Sequence, residues 1–448
     1  MNDKFYSLRK KYPTFIYDSF SYVIQENDLL ITFNFIQSDD IVFHPELIVP
    51  FNKTMNSKEL EVAIFNIGMI ELISYYKACC SPKIIIKAGI LSEKQIQFWK
   101  NIYFNGLGEF LYTNNIETTP DELFEIKVSS EKEFKPLTSH LNDECLIPVG
   151  GGKDSVVTLE LLRNGSSNNL PFILNPRNAS IDSVKTAGYE KFASFQRKLD
   201  PKLLELNKEG YLNGHTPFSA LLAFESTLAA LIHKKKHIVL SNENSASEGN
   251  VNFSGIEVNH QYSKSFEAEK AVHSYIAEYI HNDINYFSFL RPIYELKIAE
   301  FFSKYKNHFS GFRSCNVGSK KNFWCGNCPK CLFTYIILAP FIPHDEMINI
   351  FGEDLLDKKE LETEFIKLLG DTDIKPFECV GTHREIKAAL AKTIKNYTGE
   401  LPYLLKSFSE KYSSEFDQML NDFDILLKFY SRENLLNEKF NNLLYNRM

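Results

Sequence analysis

At 448 residues the chain has room for about two to four domains of roughly 100–200 residues each, which excludes a single small motif. Hydrophobic residues make up 44% and aromatics 14%, while Gly 20 and Pro 17 fall below average usage; this excludes a low-complexity or largely disordered polymer. Lys and Arg (50) against Asp and Glu (57) leave a net charge of −7 with no basic tail and no block of like charge. Non-specific nucleic-acid binding therefore has little electrostatic support, though a local basic pocket is compatible with it.

The longest strongly apolar run, Leu332 to Pro343, is too short to cross a bilayer. The opening MNDKFYSLRKKYP has no apolar core behind its basic residues. No membrane partner is expected, and a cytoplasmic location is.

From Phe15 to Phe51 the text alternates apolar and polar residues, as in DLLITFNFIQ and ELIVPF, and predicts antiparallel strands. EVAIFNIGMIELISYYKA then has helical spacing, KIIIKAG reads as a buried strand, and SEKQIQFWKNIYFNGLGEFLYTN as one further helix. These elements predict an N-terminal α+β domain over residues 1–140. Past the polar stretch Ser129 to Glu144 the grammar changes. CLIPV (145–149), PFILN (171–175), HIVLSN (237–242) and INYFSFL (284–290) are short apolar runs separated by helical patterns, which predicts a parallel-sheet α/β domain over 141–343. Residues 344–448 read as a helical region, with KKELETEFIKLLG and REIKAALAKTIKN as its clearest helices.

Leu146 to Val149 runs directly into Gly150, Gly151, Gly152, Lys153, Asp154 and Ser155, and a helical stretch follows. Glycines permit positive backbone dihedrals and remove side chains, so N–H groups approach an anion closely at the positive end of the helix dipole. The Walker pattern fails because Lys153 is followed by Asp154, and no Gly-x-Gly-x-x-Gly is present. A plain connecting turn is the bland alternative, and the preceding strand, the following helix and the Asp-Ser pair weigh against it. The turn resembles the Ser-Gly-Gly-x-Asp-Ser loop of the ATP pyrophosphatases, with Gly150 in place of the first serine. That likeness implies an adenine-nucleotide-hydrolase-like fold that splits ATP into AMP and pyrophosphate. Gly150 to Lys153 would then hold phosphate, Ser155 would add a hydroxyl donor, and Asp154 would sit near Mg2+ or cap the helix.

Cys315, Cys325, Cys328 and Cys331 have the spacing C-x9-C-x2-C-x2-C. Two-residue gaps let thiolates converge on one ion, and four sulfurs form a closed structural Zn2+ site. An iron–sulfur cluster or reduced thiols are the alternatives. Among other polar segments, His215 precedes an apolar helix and is a candidate acid, base or phosphate donor, against the ordinary role of a packed or capping histidine. Asn242 and Glu243 follow a parallel strand, where α/β ligands bind. Lys264, Arg291 and Lys297 are candidates to balance phosphate charge, although cations on helix surfaces are common.

SYYK (74–77), NGLGEF (105–110), PVGGGKDS (148–155), NGHTPFSAL (213–221), SNENSASEGN (241–250), WCGNCPKC (324–331) and FECVG (377–381) together resemble the UDP-N-acetylmuramoyl-L-alanyl-L-glutamate epimerase family. The loop and the cysteines are shared with other pyrophosphate-loop enzymes, whereas NGLGEF, NGHTPF and FECVG point to this family. The resemblance implies ATP- and Mg2+-dependent inversion of the terminal L-glutamate of a nucleotide-sugar dipeptide in peptidoglycan precursor synthesis, through an acyl-adenylate. Joining the carboxylate to AMP neutralises it, so that a side-chain base can remove the α-proton. His215, Glu243, Glu378 and Cys379 are the candidates for proton transfer; for Cys379 an inert buried thiol is the bland alternative. Two rival readings are adenylation of a nucleobase, as in tRNA-modifying or deazaguanine enzymes, and a non-catalytic nucleotide sensor. No motif here speaks to oligomeric state, and no nucleic-acid partner is expected.

Overall fold

Strict alternation in DLLITFNFIQ buries Leu29, Ile31, Phe33 and Phe35 on one face while their neighbours stay half-exposed, the signature of a strand with one face on a core. The structure, a computed structural model, describes residues 2–38, 40–51, 55–163, 168–372 and 374–448. Its strands are β1 (Thr14–Gln25), β2 (Asp28–Gln37), β3 (Ile41–Phe43), β4 (Glu46–Pro50), β5 (Lys83–Ile86), β6 (Glu125–Val128), β7 (Asn142–Pro148), β8 (Leu170–Leu174), β9 (Ala193–Lys198), β10 (Lys235–Leu240), β11 (Val251–Phe253), β12 (Ile256–Val258) and β13 (Asn285–Ser288).

The expected antiparallel pairing of β1, β2 and β4 is present, and so are the expected parallel strands β13, β10, β7 and β8, to which β9 adds a further parallel strand. The two groups form a single mixed sheet in the order β13-β10-β7-β8-β9-β4-β2-β1-β5-β6, joined where β4 pairs antiparallel with β9. Ile48 lies opposite Gln196 at that seam. One continuous apolar core runs from Phe5 to Tyr286. A second core holds the helices Lys153–Leu162, Glu295–Ser303, Pro329–Leu338 and those of the C-terminal region. No helix among the described residues is long and apolar enough to cross a membrane.

Helix Ser57–Tyr76 starts at a capping box between Asn56 and Glu59 and is buried on nearly all sides, because it lies between β1, β2 and helix Phe218–Ile232. The single helix expected over 92–114 is two, Glu93–Gly106 and Gly108–Thr113, broken at Leu107. Glycine on either side of the break has a steric cause. A Cβ on Gly106 would stand 2.7 Å from the Pro217 ring and one on Gly108 3.2 Å from Val258, so the two glycines admit neighbouring segments. Glu109 lies in the first turn of the second helix. After Pro343 the chain is helical as expected, and helix His383–Asn396 packs between Pro329–Leu338 and Phe416–Lys428.

In the parallel group β8 and β9 lie to one side of β7 while β10 and β13 lie to the other. Chain direction across the sheet therefore reverses between β7 and β10, and ligand sites of open α/β sheets form at such a switch point, beyond the strand C-termini.

Candidate active site

The glycine turn leaves β7 at this switch point. Gly151 has φ +90°, and a Cβ there would stand 2.7 Å from the backbone of Ala179 and Ser180, so conformation and space both require glycine. Gly150 is exposed, with no atom within 4 Å of where its Cβ would stand. Helix Lys153–Leu162 starts after Gly152, and among the described residues no side chain caps it. Its first N–H groups thus retain their capacity for an anion. Ser155 Oγ accepts from the Gly151 N–H at 3.2 Å and donates to the Gly152 carbonyl at 2.9 Å, so this hydroxyl fixes the turn from inside.

Lys153 is buried, and its ammonium donates to the carboxylates of Asp154 and Glu295. Burial opposes its charge, but the two carboxylates more than offset that and raise it above the ordinary lysine range. Burial and the adjacent Asp154 charge push the Glu295 carboxyl up to about 8. Asp154 is held below the usual carboxylate range, because Lys153, Lys330 and Lys264 outweigh its burial. Oxygens of Asp154, Glu243 and Glu295 lie within 4.8 Å of one another. Three converging carboxylates are a hard-oxygen donor set that fits a divalent cation such as Mg2+.

Beyond Lys264 and Lys330 lies a thiol. Lys264 Nζ stands 3.0 Å from Cys379 Sγ, and the Lys330 ammonium donates to the Cys379 main-chain carbonyl. His260 hydrogen-bonds the same thiol through its ring, and its Nδ1 lies 2.5 Å from Glu109 Oε2. Burial works against a Cys379 thiolate, but Lys264, the His260 hydrogen bond and Lys330 bring the thiol down to about 6. His260 is likewise disfavoured as a cation by burial, yet Cys379 and Glu109 carry it up to about 9. Thiolate and imidazolium thus form a pair at neutral pH, the electronic state of a reactive cysteine.

His215 approaches the same Glu109 oxygen, with Nδ1 3.4 Å from Oε2 and its ring 4.4 Å from that of His260. Burial and the neighbouring His260 lower it to about 4. The Lys77 ammonium donates to the Gly214 carbonyl, and burial lowers this lysine to about 8. Glu378 accepts from the Asn316 amide, and burial raises its carboxyl.

The structure therefore gathers Gly150 to Ser155, Glu243 and Lys264 at the switch point, with Cys379, Glu378 and His215 continuing the same cluster. Arg291 and Lys297 are committed elsewhere. Arg291 is buried against Glu269 at 2.8 Å and donates to the carbonyls of Glu243 and Lys264, so it braces two site loops from behind. Lys297 meets Glu300 at 2.8 Å and the Met448 carbonyl at 2.9 Å. Sequence reasoning did not single out Glu109, His260, Lys330, Glu295 or Lys77. Glu109, Lys77 and Lys330 do lie inside NGLGEF, SYYK and WCGNCPKC; nothing local marks His260 or Glu295.

The four cysteines converge. Sγ separations are 3.9 Å for Cys315 and Cys328, 3.7 Å for Cys325 and Cys331, and 3.5 Å for Cys328 and Cys331. Sulfurs at about 2.3 Å from a tetrahedral zinc would be about 3.8 Å apart, so the set fits that ion. The Gly318 N–H donates to Cys315 Sγ at 3.0 Å and the Cys331 N–H to Cys328 Sγ at 3.4 Å, as suits sulfurs carrying negative charge.

An α/β scaffold with a thiolate–imidazolium pair beside an anion-ready turn defines an enzyme with proton-transfer chemistry. The family model of the MurL N-terminal domain matches residues 6–289, and that of the MurL C-terminal domain matches 309–422. A UDP-N-acetyl-alpha-D-muramoyl-L-alanyl-L-glutamate epimerase of Xanthomonas oryzae pv. oryzae is 34% identical over 342 residues, 75% of this chain and 75% of its own length. Proteins of the same name from a Micromonospora species and from Salinispora tropica are each 35% identical over 325 residues, 71% of this chain and 72% and 70% of theirs. The chain belongs to the MurL family and is an amino-acid epimerase, an isomerase.

Proposed function

We propose that this epimerase inverts the terminal L-glutamate of UDP-N-acetylmuramoyl-L-alanyl-L-glutamate to D-glutamate, at the expense of ATP, in cytoplasmic peptidoglycan precursor synthesis. The substrate is the one named in its relatives. The observation that carries the mechanism is the position of Lys264 and Lys330. Both touch Cys379, and both lower the Asp154 carboxyl, so the turn and the thiol share the same two cations, which supports reading them as one site.

In this reading the fold is of the pyrophosphate-loop type, and the amides of Gly150 to Lys153 receive the phosphates of ATP at the open helix end. Asp154, Glu243 and Glu295 would hold Mg2+, which neutralises phosphate charge. Lys153 exchanges a carboxylate partner for phosphate when nucleotide enters. The substrate carboxylate takes AMP, pyrophosphate leaves, and the neutral acyl group makes the α-proton acidic. Cys379 as thiolate takes that proton, breaking Cα–H and forming S–H, and Lys264 and Lys330 stabilise the negative charge that develops on the substrate. A proton from solvent reaches the opposite face and inverts the centre, the Cys379 thiol gives its proton back to solvent, and hydrolysis releases product and AMP. The cysteine cluster, as a closed Zn2+ site, holds structure.

The test is incubation of purified protein with ATP, Mg2+ and the UDP-linked dipeptide, followed by acid hydrolysis and chiral chromatography of glutamate. D-glutamate together with AMP is expected. Folded protein that yields only L-glutamate overturns the proposal.

A further inference from the structure

Glu109 meets two histidines and, among the described residues, neither the glycine turn nor the thiol. Its carboxylate is only 18% exposed, and His260 beside it 13%. At 2.5 Å the His260 Nδ1 contact is a short, charge-assisted hydrogen bond. We propose that Glu109 is a positioning residue for the proton-transfer thiol: its carboxylate holds the Nδ1–H of His260 and so turns the other ring nitrogen toward Cys379. This inference rests on the reading of Cys379 as the base.

Two features of the structure carry it. The NGLGEF break, whose flanking glycines make room for Pro217 and Val258, sets Glu109 at the start of a new helix where its carboxylate faces the His260 loop. Asn250 ties that loop to the cysteine segment. Its Oδ1 accepts from the His260 N–H at 2.8 Å, its Nδ2 donates to the Pro376 carbonyl at 2.8 Å, and its own carbonyl accepts from the Lys375 N–H at 3.0 Å. The main chains of His260, Lys375 and Pro376 are thereby fixed together just ahead of Cys379, which leaves ring orientation as the freedom still to be set. The carboxylate sets it, because a group that accepts at Nδ1 selects the protonation state in which Nε2 faces the second partner.

Charge follows geometry. Cys379 is faced by Lys264, Lys330, His260 and Glu378, and His260 by Cys379, Glu109 and His215, with Lys77 and Lys264 beyond His215. Among these groups Glu109 is the anion that supports an imidazolium from the side away from sulfur. It also explains why two histidines so close together differ. One carboxylate stabilises one cation, and the nearer ring, His260, takes it while His215 stays neutral.

The test uses full-length protein without substrate. The rate of iodoacetamide alkylation at Cys379, followed by mass spectrometry of its peptide, is measured across pH. Glu109→Gln is expected to raise the midpoint by about one pH unit, an about tenfold slower reaction below it. In a His260→Asn background the same substitution is expected to add nothing, because Glu109 acts through the ring. An unchanged midpoint, or an equal shift in both backgrounds, overturns the proposal. So does stoichiometric loss of a divalent metal on Glu109→Gln, which would make Glu109, His215 and His260 metal ligands instead. Should Glu109→Gln not fold, Glu109→Asp, shorter by one methylene, is expected to shift the midpoint upward by less, and no shift overturns it. Absence of D-glutamate formation by unaltered protein would remove the epimerase mechanism and leave the alkylation result standing, so the two failures are distinct.

Discussion

The ammonium of Lys330 donates to the main-chain carbonyl of Cys379. Lys330 itself stands between Cys328 and Cys331, so the cysteine cluster and the thiol are one side chain apart. A distortion of the cluster is transmitted to the thiol through this contact.

With Zn2+ in the cluster as proposed, removing it should cost activity without the metal taking part in chemistry. Cys325→Ser is expected to lower bound zinc, read by atomic emission, and to slow D-glutamate formation at least about tenfold, as losses in supporting metal shells do. Metal content and rate falling together on chelation, and returning together on zinc addition, is the expected pattern.

Cys379→Ala removes the proposed base. Proton transfer by a positioned side chain contributes about 10²–10⁴-fold, and a loss of that size is expected in deuterium incorporation at the glutamate α-carbon in D2O. Incorporation at the unaltered rate would exclude Cys379 from proton transfer.

The pH dependence follows from the pair. Cys379 has its thiol lowered from 9.0 to about 6, so the required thiolate accumulates as pH rises through about 6. His260 is raised from 6.5 to about 9, so its cation is lost above about 9. A bell-shaped kcat/KM profile with limbs near those values is expected. Stability carries the same signs. The thiol's contribution is complete above pH 9 and lost as pH falls through about 6, while that of His260 is complete below 6.5 and lost as pH rises through about 9.

Asp154→Ala tests the nucleotide end. It takes one carboxylate from the converging oxygens and one partner from Lys153. AMP formation is expected to fall to background while the far-ultraviolet circular dichroism stays that of the unaltered protein. Undiminished AMP output would refute the role given to the turn.

Arg291→Met would leave the Glu269 carboxylate, 1% exposed, without its cation. Breaking a buried pair from one side costs about 3–5 kcal/mol, expected as a lower urea midpoint. Because Arg291 also braces the carbonyls of Glu243 and Lys264, a loss of activity at temperatures where the variant remains folded is expected as well.

Local pattern carried much of the fold. Apolar runs marked β7, β8, β10 and β13, and the glycine turn and cysteine spacing marked two parts of the site. Strand β9 was not foreseen, because ASFQRK is half polar and exists as a strand through pairing with β4 and β8 on either side. The glycines that flank the helix break at Leu107 make room for Pro217 and Val258, both more than a hundred residues away in sequence, and no local propensity encodes their approach. Glu109 and His260 are separated by 151 positions, so their contact has no periodicity to read. Arg291 and Lys297 resembled phosphate ligands because a cation's sequence neighbours do not say which carboxylate or carbonyl will claim it.

The seam between β4 and β9 has one last corollary. Lys77 and Glu109 come from the N-terminal side of that seam and the glycine turn from the other, so trimming the chain back to the half that carries the turn would strip an edge bare and discard two polar walls of the proposed site. Proteolytic nicking in this protein should yield either an intact noncovalent pair or an inert remnant, never a smaller working enzyme.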